Sequence, residues 1–301
     1  MAWLFDIWPG EPPAALHPVI WMGRYLRRAR RLSQPSFAAG ALAWGIGALL
    51  VLAAAFSVQV LIALAAGRVG AWAALLLTAL ALKPLFAWRG LRRAAESVLG
   101  APDLPSARGM LGRHLVSRDT SDLGAGEVFG ATIESVAENL SDSLVAPWLY
   151  FVLGGLPGAA LYRYANTADA MWGYRTPELE RFGKWAARVD DILNLVPSRL
   201  TALLLCAGSA LAGLDPSQAW RLWQRDGRQT ASPNAGQPMS AMSGALRVRL
   251  SKRGQYCLGA EFREPLAADV RRALRLGGVA AWLALGLMAG LLVARQALVG
   301  V

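Results

Sequence analysis

Three carboxylates recur at four-residue spacing in this chain: Glu134, Glu138 and Asp142, in the string ESVAENLSD. Residues i, i+4 and i+8 share one face of an α-helix, so the spacing predicts an acidic stripe. Two readings stand. One is a plain solvated face. The other is a Mg²⁺ site, because that ion prefers oxygen ligands and phosphate co-ligands. Asn139 beside Glu138 adds an amide that a solvated face does not require. Arg118 and Asp119 stand in Ser117-Arg118-Asp119-Thr120-Ser121. The planar fork of Arg118 suits a phosphate or a carboxylate, while Asp119, Thr120 and Ser121 are also good capping residues. A further string carries Asn166, Asp169, Tyr174 and Arg175, followed by Arg188, Asp190, Asp191, Asn194 and Arg199. Asp190 with Asn194, and Arg188 with Asp191, share helical faces. On a surface such pairs contribute little; buried, the carboxylates call for a metal or a cationic partner. Ser232-Pro233-Asn234-Ala235-Gly236 is a loop by its residue types. It is either a plain turn or an anion contact through Ser232, Asn234 and the loop amides.

The elements that hold these residues are largely membrane-embedded. Of 301 residues, 55% are hydrophobic and only 17% charged, apolar for a soluble protein. Residues 38–66, 70–88 and 277–299 are long enough and apolar enough to span a bilayer, which takes roughly 20 apolar residues. Gly67-Arg68-Val69-Gly70 predicts a tight hairpin between the first two. Residues 144–165 and 200–214 are ambiguous: each is a span, a re-entrant hairpin or a buried helix. Gly154, Gly155, Pro157 and Gly158 break the first of these. No strand-period alternation is long enough to count. The fold expected is therefore all-α: a polytopic integral membrane protein with a helical, extramembrane-facing part, forming one domain over 1–301. Its polar belt covers 117–142, 166–199 and 230–250.

The formal charge of +11 suits nucleic acid, anionic lipid or anionic substrates. The apolar spans favour the lipid bilayer and anionic substrates and leave no nucleic-acid partner expected. Arg27, Arg28, Arg30 and Arg31 also fit the positive-inside rule. Trp220 and Trp223 suit either a bilayer interface or a helix packing face. Cys206 and Cys257 form no C-x-x-C pair, so neither a zinc site nor a disulfide framework is suggested. No basic segment precedes an apolar core at the N-terminus, so no signal peptide is read. No P-loop string occurs, and Gly124, Gly126 and Gly130 are misplaced for a dinucleotide fingerprint. His17 and His114 are too far apart for a helical metal pair. A transporter would want polar groups inside the spans, and 38–66 and 277–294 contain almost none.

Taken together, the strings SRDTSDL, ESVAENLSD, NTADAMWGYR, ARVDDILNLVPSRL and SPNAGQPMSAM resemble the CobD/CbiB family of cobalamin biosynthesis. The resemblance runs from His17-Pro18-Val19 to the last apolar segment. Ala137-Glu138-Asn139-Leu140-Ser141-Asp142 matches that family's A-E-N-x-x-D element. It implies a multi-pass protein of the cytoplasmic (inner) membrane, with a helical, cytoplasm-facing catalytic part, that converts adenosylcobyric acid to adenosylcobinamide or its phosphate. The reaction it implies is an ATP-dependent amide ligation with aminopropanol or aminopropanol phosphate, with Mg²⁺ and ATP taking part. The expected catalytic residues are Arg118, Asp119, Glu138, Asp142, Asp190 and Asp191, and the expected metal ligands Glu134, Glu138 and Asp142. The expected substrate contacts are His17, Asn139, Asn166, Asp169, Tyr174, Arg175, Arg188, Asn194, Arg199, Ser232 and Asn234. Other membrane-associated enzymes of the pathway are expected partners. The competing reading is a non-catalytic membrane scaffold or sensor related to the family. The chain departs from the family pattern at Gly10-Glu11-Pro12 for G-D-P, and its first apolar helix is short. Thr230 stands where His is frequent, Gln237 where Trp is common, Arg247 where Gly is usual, and Ser251-Lys252 for Gly-Gly.

Overall fold

The computed structural model describes residues 1–7 and 13–299, so Gly10-Glu11-Pro12 lies outside the described residues. In chain order the helices are α1 (Ala2–Ile7), α2 (Pro18–Leu32), α3 (Phe37–Val69), α4 (Ala71–Leu82), α5 (Trp88–Leu99), α6 (Leu104–His114) and α7 (Ala125–Leu140). A π turn, Ser141–Val145, leads into α8 (Ala146–Trp172). Then follow α9 (Lys184–Leu193), α10 (Leu195–Leu211), α11 (Pro216–Asp226) and α12 (Gly236–Leu246). Strands β1 (Leu250–Lys252) and β2 (Tyr256–Leu258) pair antiparallel before α13 (Ala267–Val299). The fold is all-α, with this hairpin the one sheet among the described residues.

Four stretches are long and apolar enough to cross a membrane: Phe37–Arg68, Ala71–Leu99, Ala125–Trp172 and Ala267–Leu298, with up to five if a bent helix pair counts as one. The protein is a polytopic membrane protein. The chain divides into two compact units interleaved in sequence: Met1–Ala87 with Ala146–Leu193, and Trp88–Val145 with the chain from Asn194 onward. Composition does not mark these joints, because both units contain apolar helices.

In the first unit, Ser36 opens α3 by accepting from the Ala39 amide at 3.2 Å, the usual way a serine satisfies an orphan helix donor. The predicted hairpin contracts to one residue, Gly70, whose φ of 84° costs a glycine little. The stretch read as ambiguous over 144–165 is a helical hairpin. Gly155, at φ 64° and ψ −152°, interrupts α8. The Tyr150 and Tyr162 rings stack at 5.1 Å, whereas twelve residues of straight helix would part them by about 18 Å. A Cβ on Gly158 would collide with the Tyr150 carbonyl, so the two arms touch at backbone distance. The break exposes the Leu156 amide, and Gln59 of α3 accepts from it at 3.0 Å.

In the second unit, α7 is buried from Gly130 to Ala137 and again at Leu140. Its Gly124 amide donates to the Glu127 carboxylate at 2.8 Å. The partner helix α12 is buried at every position. The stretch read as ambiguous over 200–214 lies in α10, whose 17 residues fall short of an untilted span. Trp223 donates to Gln237 at 2.8 Å, so it serves packing, while Trp220 is half exposed.

Candidate functional site

The second unit builds its polar centre on α7. Because the helix is buried on most sides, its carboxylate at Glu134 is carried inside and is only 6% exposed. Its Oε1 is buried without a well-formed hydrogen bond, and Arg118 Nη2 lies 3.9 Å from Oε2. That separation is at the outer limit of an ion pair. A carboxylate so placed has acceptor capacity to spare on Oε1. Glu138, one turn on, lies close enough to act on its charge, as does Lys252 of β1. Tyr256 of β2 places its phenol beside Glu134. Burial, and then the charges of Glu134 and Glu138, push that phenol well above its ordinary pKa, so it stays a neutral donor.

Asp142 lies beyond the end of α7: the helix ends at Leu140, and Ser141–Val145 takes a π turn. Among the described residues no group of three or more His, Cys, Asp or Glu is gathered to hold a metal ion. Glu134, Glu138 and Asp142 therefore do not form the three-carboxylate set their spacing suggests. Asn139 donates to the Ser135 carbonyl at 3.0 Å and accepts from Ser143 at 3.4 Å. Asp119 is exposed and accepts from the Ser121 amide at 2.9 Å, which holds its carboxyl below the usual range. Its geometry is that of a turn cap.

A second polar group in the same unit joins α10 to the loop before α12. Asn234 is 6% exposed and accepts from Ser198 Oγ at 3.2 Å and from Arg199 Nη1 at 3.3 Å. Ser232 Oγ accepts from the Asn234 amide, and Thr230 Oγ1 from the Gly236 amide at 3.0 Å. The loop is thus a hydrogen-bonded cradle with Arg199 at its edge. Asn194 is buried at the start of α10. Gln237 takes up Trp223 and donates to the Gly227 carbonyl at 2.8 Å, which is the structural use of this departure from the family pattern.

The first unit carries the other predicted residues. Asp169, on the second arm of α8, lies within electrostatic reach of Asp191 on α9. Asp190 is 8% exposed and acts on the phenol of Tyr150. Arg163 donates to Asn166 at 3.5 Å. Tyr174, Arg175 and Arg188 are exposed. His17 is the N-cap of α2 without a side-chain capping bond. Each unit thus gathers its own share of the predicted residues: Arg118, Glu134 and Glu138 around α7, and Asp169 and Asp191 between α8 and α9.

Sequence reasoning missed Tyr256. Nothing marks it in the chain, because a hairpin more than a hundred residues downstream brings it to Glu134. Lys252 was visible as a departure from the family pattern, and the structure turns it towards the same carboxylate.

The family profile for CobD/Cbib protein matches residues 1–294. The cobalamin biosynthesis protein CobD of Dehalococcoides mccartyi is 38% identical over 280 residues, covering 92% of this chain and 90% of the relative. The protein of the same name from Chromobacterium violaceum is 39% identical over 311 residues, covering 97% and 96%. The probable cobalamin biosynthesis protein CobD of Thermococcus kodakarensis is 40% identical over 281 residues, covering 92% and 88%. No solved structure gives a significant match. With a family match over nearly its whole length and relatives of this identity, the chain belongs to the CobD/CbiB family of cobalamin biosynthesis.

Proposed function

We propose that the protein joins the corrin side-chain carboxylate of adenosylcobyric acid to aminopropanol, or to aminopropanol phosphate, with consumption of ATP. A carboxylate is a poor electrophile, and phosphorylation by ATP makes it an acyl phosphate that the amine attacks, releasing phosphate. That chemistry needs cations at the developing negative charge and a base for the amine proton. The observation that carries the reading is Glu134: a buried carboxylate with a free lone pair, flanked by Arg118, Lys252, Glu138 and Tyr256. Arg118 and Lys252 stabilise the anion, and the neutral Tyr256 phenol donates a hydrogen bond.

Two carboxylates one turn apart, Glu134 and Glu138, suit Mg²⁺, which takes one or two carboxylates and completes its shell with phosphate and water. When bound, the ion would neutralise phosphate charge. Glu138, less buried than Glu134, is the residue assigned to the amine proton. The Asn234 cradle with Arg199 supplies donors for a phosphate. Because the reaction consumes ATP, it belongs on the cytoplasmic face of the inner membrane.

The test is product analysis. Purified protein receives adenosylcobyric acid, ATP and Mg²⁺ with each amine in turn, and products are read by mass spectrometry. The expected result is a corrinoid heavier by the condensed amine, formed only with ATP. Unchanged corrinoid with both amines overturns the reading and leaves a scaffold or sensor.

A further inference from the structure

A groove of about 790 Å³ lies against α3 within the first unit, inside the range of about 300–1,000 Å³ typical of ligand sites. Val51, Ala54 and Val58 form one wall, a single stripe at i, i+3 and i+7. Trp21, Met22 and Tyr25 of α2 form another. Among the described residues Lys83 is the only charged side chain lining it, and its ammonium lies 3.1 Å from Asp6. The hydroxyls of Tyr25 and Tyr164 are turned to α3 itself, donating to the carbonyls of Ala43 at 2.7 Å and Trp44 at 3.1 Å. The lining therefore offers a ligand apolar surface and little else.

The position of the groove says which apolar ligand. Its α3 wall belongs to a stretch long and apolar enough to cross a membrane, of which almost nothing is buried by the protein, so lipid surrounds it. The α2 wall is an amphipathic helix. Its apolar side enters the groove, and Arg24, Arg27, Arg28 and Arg31 leave on the other sides. These four arginines have no carboxylate partner among the described residues. Trp21, Arg24 and Arg28, at i, i+3 and i+7, share one side of the helix, and Trp21 is 49% exposed. A helix with Trp at its margin and arginines beside it lies at the headgroup level of a bilayer.

We propose that this groove binds one anionic phospholipid, an acyl chain between α2 and α3 and the phosphate at Arg24 and Arg28. Lipid tails are as apolar as the groove, so moving a tail into it gains little by hydrophobicity. Selection among lipids falls to the headgroup charge, where each nearby arginine attracts an anionic lipid. The proposal concerns this groove alone and does not depend on the reaction assigned above.

The full-length protein, freed of lipid in detergent, is titrated with dioleoylphosphatidylglycerol or dioleoylphosphatidylcholine, and bound lipid is counted by native mass spectrometry. The anionic lipid should bind one per chain at a concentration at least ~10-fold lower than the zwitterionic one, as two arginines near one headgroup predict. Arg24→Gln with Arg28→Gln should bring the two lipids within about twofold of each other. Ala54→Trp, which fills the groove, should remove both. Equal binding of the two lipids by the unaltered protein overturns the proposal. So does a preference that survives loss of both arginines, or displacement of the lipid by free glycerol phosphate. Arg24 and Arg28 are exposed, so their variant carries the test even where Ala54→Trp fails to fold.

Discussion

At the scale of single residues, the centre of this protein is a carboxylate in a place that is costly to it. Glu134 is buried, and its cation stands 3.9 Å away, too far to offset burial fully. Its neighbour Glu138 is the more accessible acid and the one to which the proposed reaction assigns the amine proton. Glu138→Gln keeps the shape and removes the charge. It should lower product formation by at least ~100-fold, the usual loss for a general base, while membrane insertion and melting stay unchanged; turnover within a few-fold of normal would remove Glu138 from the mechanism. The departures from the family pattern are equally physical. Arg247, standing where glycine is usual, closes α12 at φ 55° and ψ 51°, a left-handed conformation that costs a side chain roughly 1–2 kcal/mol. Its guanidinium recovers part of this over the Phe262 ring, at 5.9 Å. Arg247→Gly should therefore raise stability by about 0.5–1 kcal/mol, read as a higher melting midpoint in detergent. The acid and amide residues of α7 were legible from spacing and type alone. Tyr256 was not, since local sequence carries no sign of a contact made across more than a hundred residues.

At the scale of elements, the break in α8 and its partner in α3 form one device. Gly155 turns the chain at positive φ, and the freed Leu156 amide finds Gln59. In apolar surroundings an orphaned amide costs about 1–3 kcal/mol, which accounts for a glutamine inside an otherwise apolar helix. Gly155→Ala would strain the backbone and drive a Cβ into the Gln59 amide, and Gln59→Leu would strip the Leu156 amide of its acceptor. Each should destabilise by about 1–3 kcal/mol. The double variant should lose clearly less than the sum, because both changes break the same contact; strict additivity in detergent melts would separate the two residues. Here the sequence was informative in part. Gly154, Gly155, Pro157 and Gly158 marked the turn, because glycine and proline act locally. The π turn at Ser141–Val145 was silent, since an i, i+4 pattern continues on paper whatever the winding of the helix. Asp142 falls in that turn and not on α7.

At the scale of the whole molecule, the fold-back in α8 bears on which side of the membrane each polar string occupies. By the positive-inside rule, Arg24–Arg31 and Arg89–Arg93 mark the cytoplasmic ends of the first membrane hairpin, with only Arg68 at its tip. If 144–161 crossed the bilayer once, Arg163, Arg175, Arg181, Lys184, Arg188 and Arg199 would fall outside, against that rule. Before the break, the apolar part of the helical chain, Leu144 to Gly154, is only about 16 Å long at 1.5 Å per residue, about half of the roughly 30 Å hydrocarbon core, and the turns before it carry Glu134, Glu138 and Asp142. The Tyr150–Tyr162 stack returns the second arm beside it. The segment is accordingly expected to enter and leave on the cytoplasmic side, although 125–172 qualifies as a span by length and composition. Glu178, exposed after the second arm, reports on this directly. A cysteine placed there, with Cys206 and Cys257 replaced, should resist a membrane-impermeant thiol reagent in intact cells and react once the cells are opened. Labelling before lysis would show that the segment crosses, and would place the chain that follows it on the outer side of the membrane.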